Sequence, residues 1–368
     1  MRRALSLAAG GRGAVEPNPM VGCVIVRDGR VIGEGFHRKF GQPHAEVEAL
    51  SACTATPEGA TAYVTLEPCC HTNKKTPPCV PRLVGAKVGR VVVACLDPNP
   101  RVAGRGVEQL RAAGIDVPVG LLEAEARQLN APFFALVQHR RPYVTLKWAQ
   151  TADGKVAAPP GAPRLMITGS ESNRLVHQLR ARCDAIMVGI NTVLADDPLL
   201  TVRGVEPMRL LTRVVLDRDL RIPSTSRLVQ TALHAATIVF CHEPAPARAG
   251  ELKMLGVEVI DVPVDQGALR LDEVLAKLGG RAFTHLLLEP GPRLARSFFD
   301  SNRADRVWVF HSPHESTDPN ALDAASFDFP ATGEARFGKD RLTEYLNPTS
   351  DVFFISGPSV DFPRRTNS

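Results

Sequence analysis

Three residues able to ligate zinc sit at the ends of regular elements in the first third of the chain, and using them together dictates how those elements converge. The helical pattern His44–Ala52 opens on His44-Ala45-Glu46, and the strand pattern Thr61–Leu66 runs into Glu67-Pro68-Cys69. A second helical pattern, Cys79–Gly85, opens on Cys79. One imidazole and two thiolates leave a fourth position on zinc for water, whose pKa falls from ~15.7 toward ~7. Glu46 is a carboxylate outside that ligand set, suited to moving protons. Taken singly, His44, Cys69 and Cys79 would read as buried or capping residues, whereas the constellation reads as a catalytic metal site.

Hydrolytic deamination needs this division of labour, because a hydroxide attacks an amidine-like ring carbon while the departing nitrogen must gain a proton. His-x-Glu followed by Pro-Cys and a second Cys is the zinc deaminase pattern. Two residues usually separate the cysteines of that pattern, so the segment from Cys70 to Pro78 makes an enlarged zinc loop.

The chain of 368 residues suits two domains, each large enough to bury a core unaided. Eight cysteines scattered among 44% hydrophobic residues do not read as a secreted disulfide framework, so a reducing, cytoplasmic setting is expected. The basic then apolar start, Met1 to Gly10, is too short for a signal peptide and predicts an amphipathic first helix. No stretch approaches the roughly 20 apolar residues of a membrane span. A formal charge of +5 without basic runs fits a phosphorylated small substrate or an anionic cofactor as easily as nucleic acid, and 5% aromatic residues weaken the case for base-stacking platforms. A small-molecule enzyme without nucleic-acid or membrane partners is expected, as a homo-oligomer.

Along the chain, Val21–Phe36 reads as a hairpin turning at Asp28-Gly29, followed by the helix and strand patterns above and a strand at Val91–Leu96. Helices at Arg105–Ala113 and Leu121–Gln138 flank a short strand at Ile115–Val117, completing a three-layer α/β sandwich. The polar His139-Arg140-Arg141-Pro142 places a boundary between domains 1–140 and 141–368. A second α/β pattern follows, with strands near Tyr143–Lys147, Ala185–Val188, Arg213–Asp217, Thr237–Phe240, Val257–Val262, His285–Glu289 and Arg306–Phe310.

The first half carries Pro17-Asn18-Pro19-x-Val21-Gly22, Thr65-Leu66-Glu67-Pro68-Cys69, Thr76-Pro77-Pro78-Cys79 and Asp97-Pro98-Asn99-Pro100-x-Val102-Ala103-Gly104-x-Gly106. The second carries Asp153-Gly154-Lys155, Leu179-Arg180-Ala181 and Thr192-Val193-Leu194-Ala195-Asp196-Asp197-Pro198-x-Leu200-Thr201-Val202-Arg203. With these motifs the chain resembles the bifunctional riboflavin-biosynthesis deaminase/reductase family over nearly its whole length. The resemblance implies a cytidine-deaminase-like α/β/α sandwich followed by a dihydrofolate-reductase-like α/β domain, with Zn²⁺ and NADPH as cofactors. It implies deamination of 2,5-diamino-6-ribosylamino-4(3H)-pyrimidinone 5′-phosphate, then reduction of the ribosyl group to ribityl.

Residue by residue, the resemblance implies zinc on His44, Cys69 and Cys79, with Glu46 catalytic. Asn18, Lys74 and Lys75 become deaminase substrate contacts; an amide suits a pyrimidine edge, and lysines suit a phosphate. In the second half it implies cofactor contacts at Ala149, Met166, Thr192, Asp196 and the turn Gly291-Pro292-Arg293-Leu294, with Asp196 also catalytic. Arg180, Leu200, Arg203 and Glu289 become substrate contacts, the arginines as bidentate phosphate ligands. No Gly-x-Gly-x-x-Gly is present, and that fold requires none.

Five departures from the family pattern are visible. Cys70 replaces the usual serine in a zinc loop one residue longer, and Met166-Ile167-Thr168 replaces Trp-Ile-Thr, with Arg164 near the expected serine. Pro290 occupies a Gly or Ala position, removing one N–H donor. A catalytically silent second domain, or a nucleoside or tRNA deaminase with an appended binding domain, are the competing readings.

Overall fold

Side-chain spacing around a tight turn sets the first sheet. In the computed structural model, which describes residues 1–72, 76–158, 165–350 and 352, the strands Gly22–Arg27 and Arg30–Phe36 pair antiparallel. Asp28 and Gly29 turn between them with φ of 50° and 74°, the left-handed pair that two-residue hairpins need. The hairpin extends through Thr61–Val64, antiparallel, to Arg90–Val93, parallel. The Ala45–Ser51 helix lies close on the hairpin because Gly35 has no side chain there: a Cβ would stand 2.4 Å from the Ala49 nitrogen. That close approach seats Glu46 against the sheet. The expected first helix forms at Arg2–Ala8 and buries Ala4 and Ala8.

Two expectations in this unit need correction. The strand expected at Ile115–Val117 is reduced to isolated parallel bridges, Arg90 with Asp116 and Val93 with Val119, since Pro118 offers no N–H to continue a ladder. The helix expected over Leu121–Gln138 is two helices, Glu123–Leu129 and Ala131–His139. Asn130 separates them, and its buried side-chain amide bonds both the N–H and the C=O of Met20, each at 2.8 Å. A side chain held by a distant backbone overrides local helix propensity here.

The chain divides into two compact units, Met1–Phe134 and Ala135–Ser350. The second is built on a nine-stranded sheet ordered Val257–Asp261, Thr237–Cys241, Thr212–Leu216, Ala185–Gly189, His285–Leu288, Tyr143–Gln150, Arg306–His311, Asp340–Leu346 and Ala331–Phe337. All seven expected strands form, and they are mutually parallel. Both faces are covered: Ala185 and Met187 join one apolar cluster, Ile186 and Val188 the other. Fully burying Ile186 and Met187 stabilises the sheet by roughly 1.5–3 kcal/mol each. The last two strands, an antiparallel hairpin on Arg306–His311, lie outside the sequence expectations.

Candidate functional sites

His44 is the N-cap of the Ala45–Ser51 helix rather than a residue of its first turn, with extended backbone at φ −78°, ψ 165°. Glu46 is the second helical residue. Cys69 follows the Thr61–Val64 strand, and Cys79 opens the Cys79–Gly85 helix, its N–H bonding the Cys69 carbonyl at 3.0 Å. The three side chains converge. His44 Nδ1 stands 3.5 Å from Cys69 Sγ and 3.4 Å from Cys79 Sγ, and the three ligand atoms lie within 4.8 Å of one another.

These separations fit zinc. Ligand bonds of ~2.3 Å to sulfur and ~2.0–2.1 Å to nitrogen at tetrahedral angles set S···N distances near ~3.6 Å. His44 Nε2 lies 3.1 Å from Thr76 Oγ1, a hydroxyl able to accept a proton carried on Nε2 when the Nδ1 lone pair is given to a metal.

Glu46 is 2% exposed, and its Oε2 has no hydrogen-bond partner among the described residues. Burial, reinforced by the Cys69 sulfur, holds its carboxyl above the usual carboxylate range; His44 and a bond with Cys79 act in the opposite sense. A buried carboxyl with an unsatisfied oxygen beside the ligands is placed to exchange protons with whatever occupies the open side.

Asn18 is linked to the site through His37. Its Nδ2 stands 3.4 Å from His37 Nε2, while His37 Nδ1 lies 3.0 Å from the Pro43 carbonyl. A carbonyl accepts only, so His37 carries its proton on Nδ1 and its Nε2 receives the Asn18 amide hydrogen. His37, 2% exposed and with its ring centroid 5.2 Å from that of His44, went unnoticed in the sequence. Its signal there was the spacing His37-x₆-His44. Lys74 and Lys75 lie outside the described residues, as does Arg164.

In the second unit, three neighbouring parallel strands end side by side: Ala185–Gly189, His285–Leu288 and Tyr143–Gln150. Their carboxyl ends carry most of the expected reductase residues, the edge at which open α/β sheets bind ligands. Ala149 is on the third strand. Thr192 and Asp196 lie on the Ile190–Asp196 helix that follows the first. Glu289 and Pro290 follow the second and lead to Gly291, the N-cap of the Pro292–Asp300 helix. Leu294 stands 3.5 Å from where a Cβ on Gly189 would be, so the two strand ends meet.

Arg180 and Glu289, both expected to face substrate, face each other. Arg180 Nε and Nη2 donate to Glu289 Oε1 at 2.9 and 2.8 Å, Nη2 to Oε2 at 2.8 Å, and Nη1 to the Thr201 carbonyl at 3.2 Å. The guanidinium fork is therefore engaged by a carboxylate and a backbone oxygen. Burial pushes the Glu289 carboxyl up, but Arg180, aided by Lys147, outweighs it and holds it below its ordinary value.

Leu200 is buried with φ 52°, an uncommon conformation for a branched residue, and Arg203 donates its backbone N–H to His177 Nδ1 at 3.2 Å. Asp196 is exposed on the last turn of its helix. Asp197 instead makes the turn, at φ 38°, and accepts the Arg227 N–H at 2.8 Å. Met166 is 74% exposed and lines a cavity of about 320 Å³ with His314, Phe337 and Asp340; no other expected cofactor residue lines it.

Comparison with known proteins matches both halves. The model described as cytidine and deoxycytidylate deaminase zinc-binding region covers residues 1–95, and that described as RibD C-terminal domain covers residues 142–314. The riboflavin biosynthesis protein RibD of Aquifex aeolicus is 45% identical over 85% of this chain and 86% of its own length; that of Escherichia coli is 40% identical over 85% and 86%. Among solved structures, RibD of Acinetobacter baumannii superposes with a TM-score of 0.81 at 37% identity, covering 94% of this chain and 97% of that one. The diaminohydroxyphosphoribosylaminopyrimidine deaminase/5-amino-6-(5-phosphoribosylamino)uracil reductase of Thermotoga maritima gives 0.78 at 35%, covering 94% and 97%. The chain belongs to the RibD family of riboflavin biosynthesis, bifunctional enzymes that join a zinc-binding deaminase domain to an NADPH-dependent reductase domain.

Proposed function

We propose that this chain deaminates 2,5-diamino-6-ribosylamino-4(3H)-pyrimidinone 5′-phosphate within residues 1–140 and reduces 5-amino-6-(5-phosphoribosylamino)uracil with NADPH within residues 141–368. The observation that carries the first step is the convergence of His44 Nδ1 on the sulfurs of Cys69 and Cys79 beside the unpartnered Oε2 of Glu46. When bound by those three residues, zinc supplies the Lewis acidity that makes water a nucleophile near neutral pH. Glu46 takes the proton released as the ring carbon is attacked and delivers it to the 2-amino nitrogen, which leaves as ammonia. Asn18, its amide hydrogen directed to His37, keeps Oδ1 for a ring N–H of the substrate. Lys74 and Lys75 pair with the substrate phosphate.

For the second step, the adjoining strand ends support a cofactor seat of Ala149, Thr192 and the Gly291–Leu294 turn, whose N–H groups favour an anion. NADPH held there would supply the hydride that reduces the ribosyl carbon, and Asp196 would supply the proton to the ring oxygen that is released as the sugar opens to ribityl. Glu289, fixed by Arg180, contacts the sugar hydroxyls, and Arg203 pairs with the phosphate. In this reading Leu200 borders the substrate, and Met166, which lines a separate cavity, would have to approach the cofactor from there. None of the eight cysteines forms a disulfide, and no helix of the described residues is long and apolar enough to cross a membrane. In this reading the chain is a cytoplasmic homo-oligomer acting on a phosphorylated small molecule, without nucleic-acid or membrane partners. Following ammonia release and NADPH oxidation separately on the diaminopyrimidine phosphate tests both steps; ammonia without NADPH oxidation would leave the second domain catalytically silent.

A further inference from the structure

The motif Asp97 to Gly106 has no role in the chemistry above, yet one buried carboxylate organises it. Glu67, 3% exposed, accepts four backbone N–H bonds: Oε2 from Asp97 at 3.2 Å and Gly104 at 2.9 Å, Oε1 from Gly106 at 2.8 Å and Val107 at 3.1 Å. Amide donors on both oxygens offset the desolvation of this anion. Both ends of the loop are thereby tied to the residue two positions before Cys69. The fit is close: a Cβ on Gly106 would lie 2.2 Å from the Pro68 carbonyl oxygen. Between the tied ends, Val102 is 1% exposed and packs in one apolar cluster with Cys69, Cys79 and Val47. Arg101 reaches the neighbouring residue too, its carbonyl 3.8 Å from Cys70 Sγ.

We propose that Glu67 is a positioning residue of the metal centre: by mooring the loop 97–107 it holds Val102 over the Cys69 and Cys79 sulfurs and retains the metal. An apolar cover controls solvent and competitor access to ligating thiolates, and such outer partners set metal affinity. Charge and reach are both needed. Glu67→Gln turns an amide NH₂ toward two backbone donors and releases part of the loop, whereas Glu67→Asp keeps the charge one methylene short. Val102→Ala leaves all four hydrogen bonds and thins the cover alone.

This inference rests on zinc binding by His44, Cys69 and Cys79. The test is competition for zinc between the full-length protein and a chromophoric chelator, for wild type, Glu67→Gln, Glu67→Asp and Val102→Ala, with NADPH-dependent reduction reporting the state of the rest of the chain. Zinc affinity should fall about 10–100-fold in Glu67→Gln, the range for lost outer-shell partners. Glu67→Asp should recover part of that loss, Val102→Ala should release zinc faster than wild type, and reduction should be unchanged in all. Wild-type affinity in Glu67→Gln, or a wild-type release rate in Val102→Ala, overturns the proposal. Should Glu67→Gln not fold, the Glu67→Asp and Val102→Ala results decide alone. A wild-type chain that holds no zinc overturns the ligand assignment and, with it, this inference.

Discussion

Arg180 closes on Glu289 through two nitrogens at 2.8–2.9 Å, joining the end of the Ser170–Arg180 helix to the end of the His285–Leu288 strand. The pair is largely buried, with side chains 11% and 19% exposed. Removing one member of such a pair leaves the other charge unmatched, at about 3–5 kcal/mol. Arg180→Met should lower the urea-unfolding free energy of the reductase unit by that order and abolish reduction, while ammonia release persists. A variant as stable as wild type would show that the pair contributes nothing.

The same pair sets an acid limit. Glu289 has its folded pKa depressed below its ordinary value of 4.5, so its stabilisation is present above that value and is lost as pH falls through the lower folded one. Urea unfolding of the second unit from pH 6 to about pH 3 should show stability falling below about pH 4.5. Glu289→Gln should be weaker throughout and flatter in that window, and an equally steep profile would assign the acid sensitivity elsewhere.

Metal content separates ligand from proton carrier. Cys79→Ser should lose zinc, because a hydroxyl replaces one of three protein ligands. Unchanged zinc by elemental analysis would rule out the set His44, Cys69 and Cys79.

Glu46→Gln should keep zinc yet deaminate at least on the order of 10²-fold more slowly, the scale of general acid–base catalysis. Reduction of supplied deaminated intermediate should persist, and near-normal ammonia release would remove Glu46 from its role.

Pro290 tests the turn before the Pro292–Asp300 helix. Gly291, Arg293 and Leu294 keep their N–H groups, so cofactor phosphate retains donors there. Pro290→Gly should tighten NADPH binding by up to about 1–3 kcal/mol if the restored donor is used. Asp196→Asn should slow reduction and leave deamination intact. Calorimetric titration and initial rates measure each.

What could be read from the sequence depended on how local its signal was. The approach of His44, Cys69 and Cys79 followed from chemistry, because three ligands of one metal must meet whatever the fold. The parallel strands announced themselves as apolar runs, being covered on both faces. The hairpin Ala331–Phe337 with Asp340–Leu346 did not: its outer strand is exposed along nearly its whole length and carries no alternation. Non-local polar bonds were equally silent. Asn130 looks like any helical residue until Met20 is beside it, and the donors for Glu67 lie 30 to 40 positions downstream. Arg180 read as a phosphate ligand because its partner, Glu289, is 109 residues away.

One measurement bears most directly on the whole account: ammonia and NADPH followed in parallel as the purified chain turns over the diaminopyrimidine phosphate. Ammonia should appear first, then one NADPH oxidised per ammonia released, with no oxidation before deamination. Ammonia released normally while NADPH is neither bound nor consumed, even with deaminated ribosylaminouracil phosphate supplied, would contradict it.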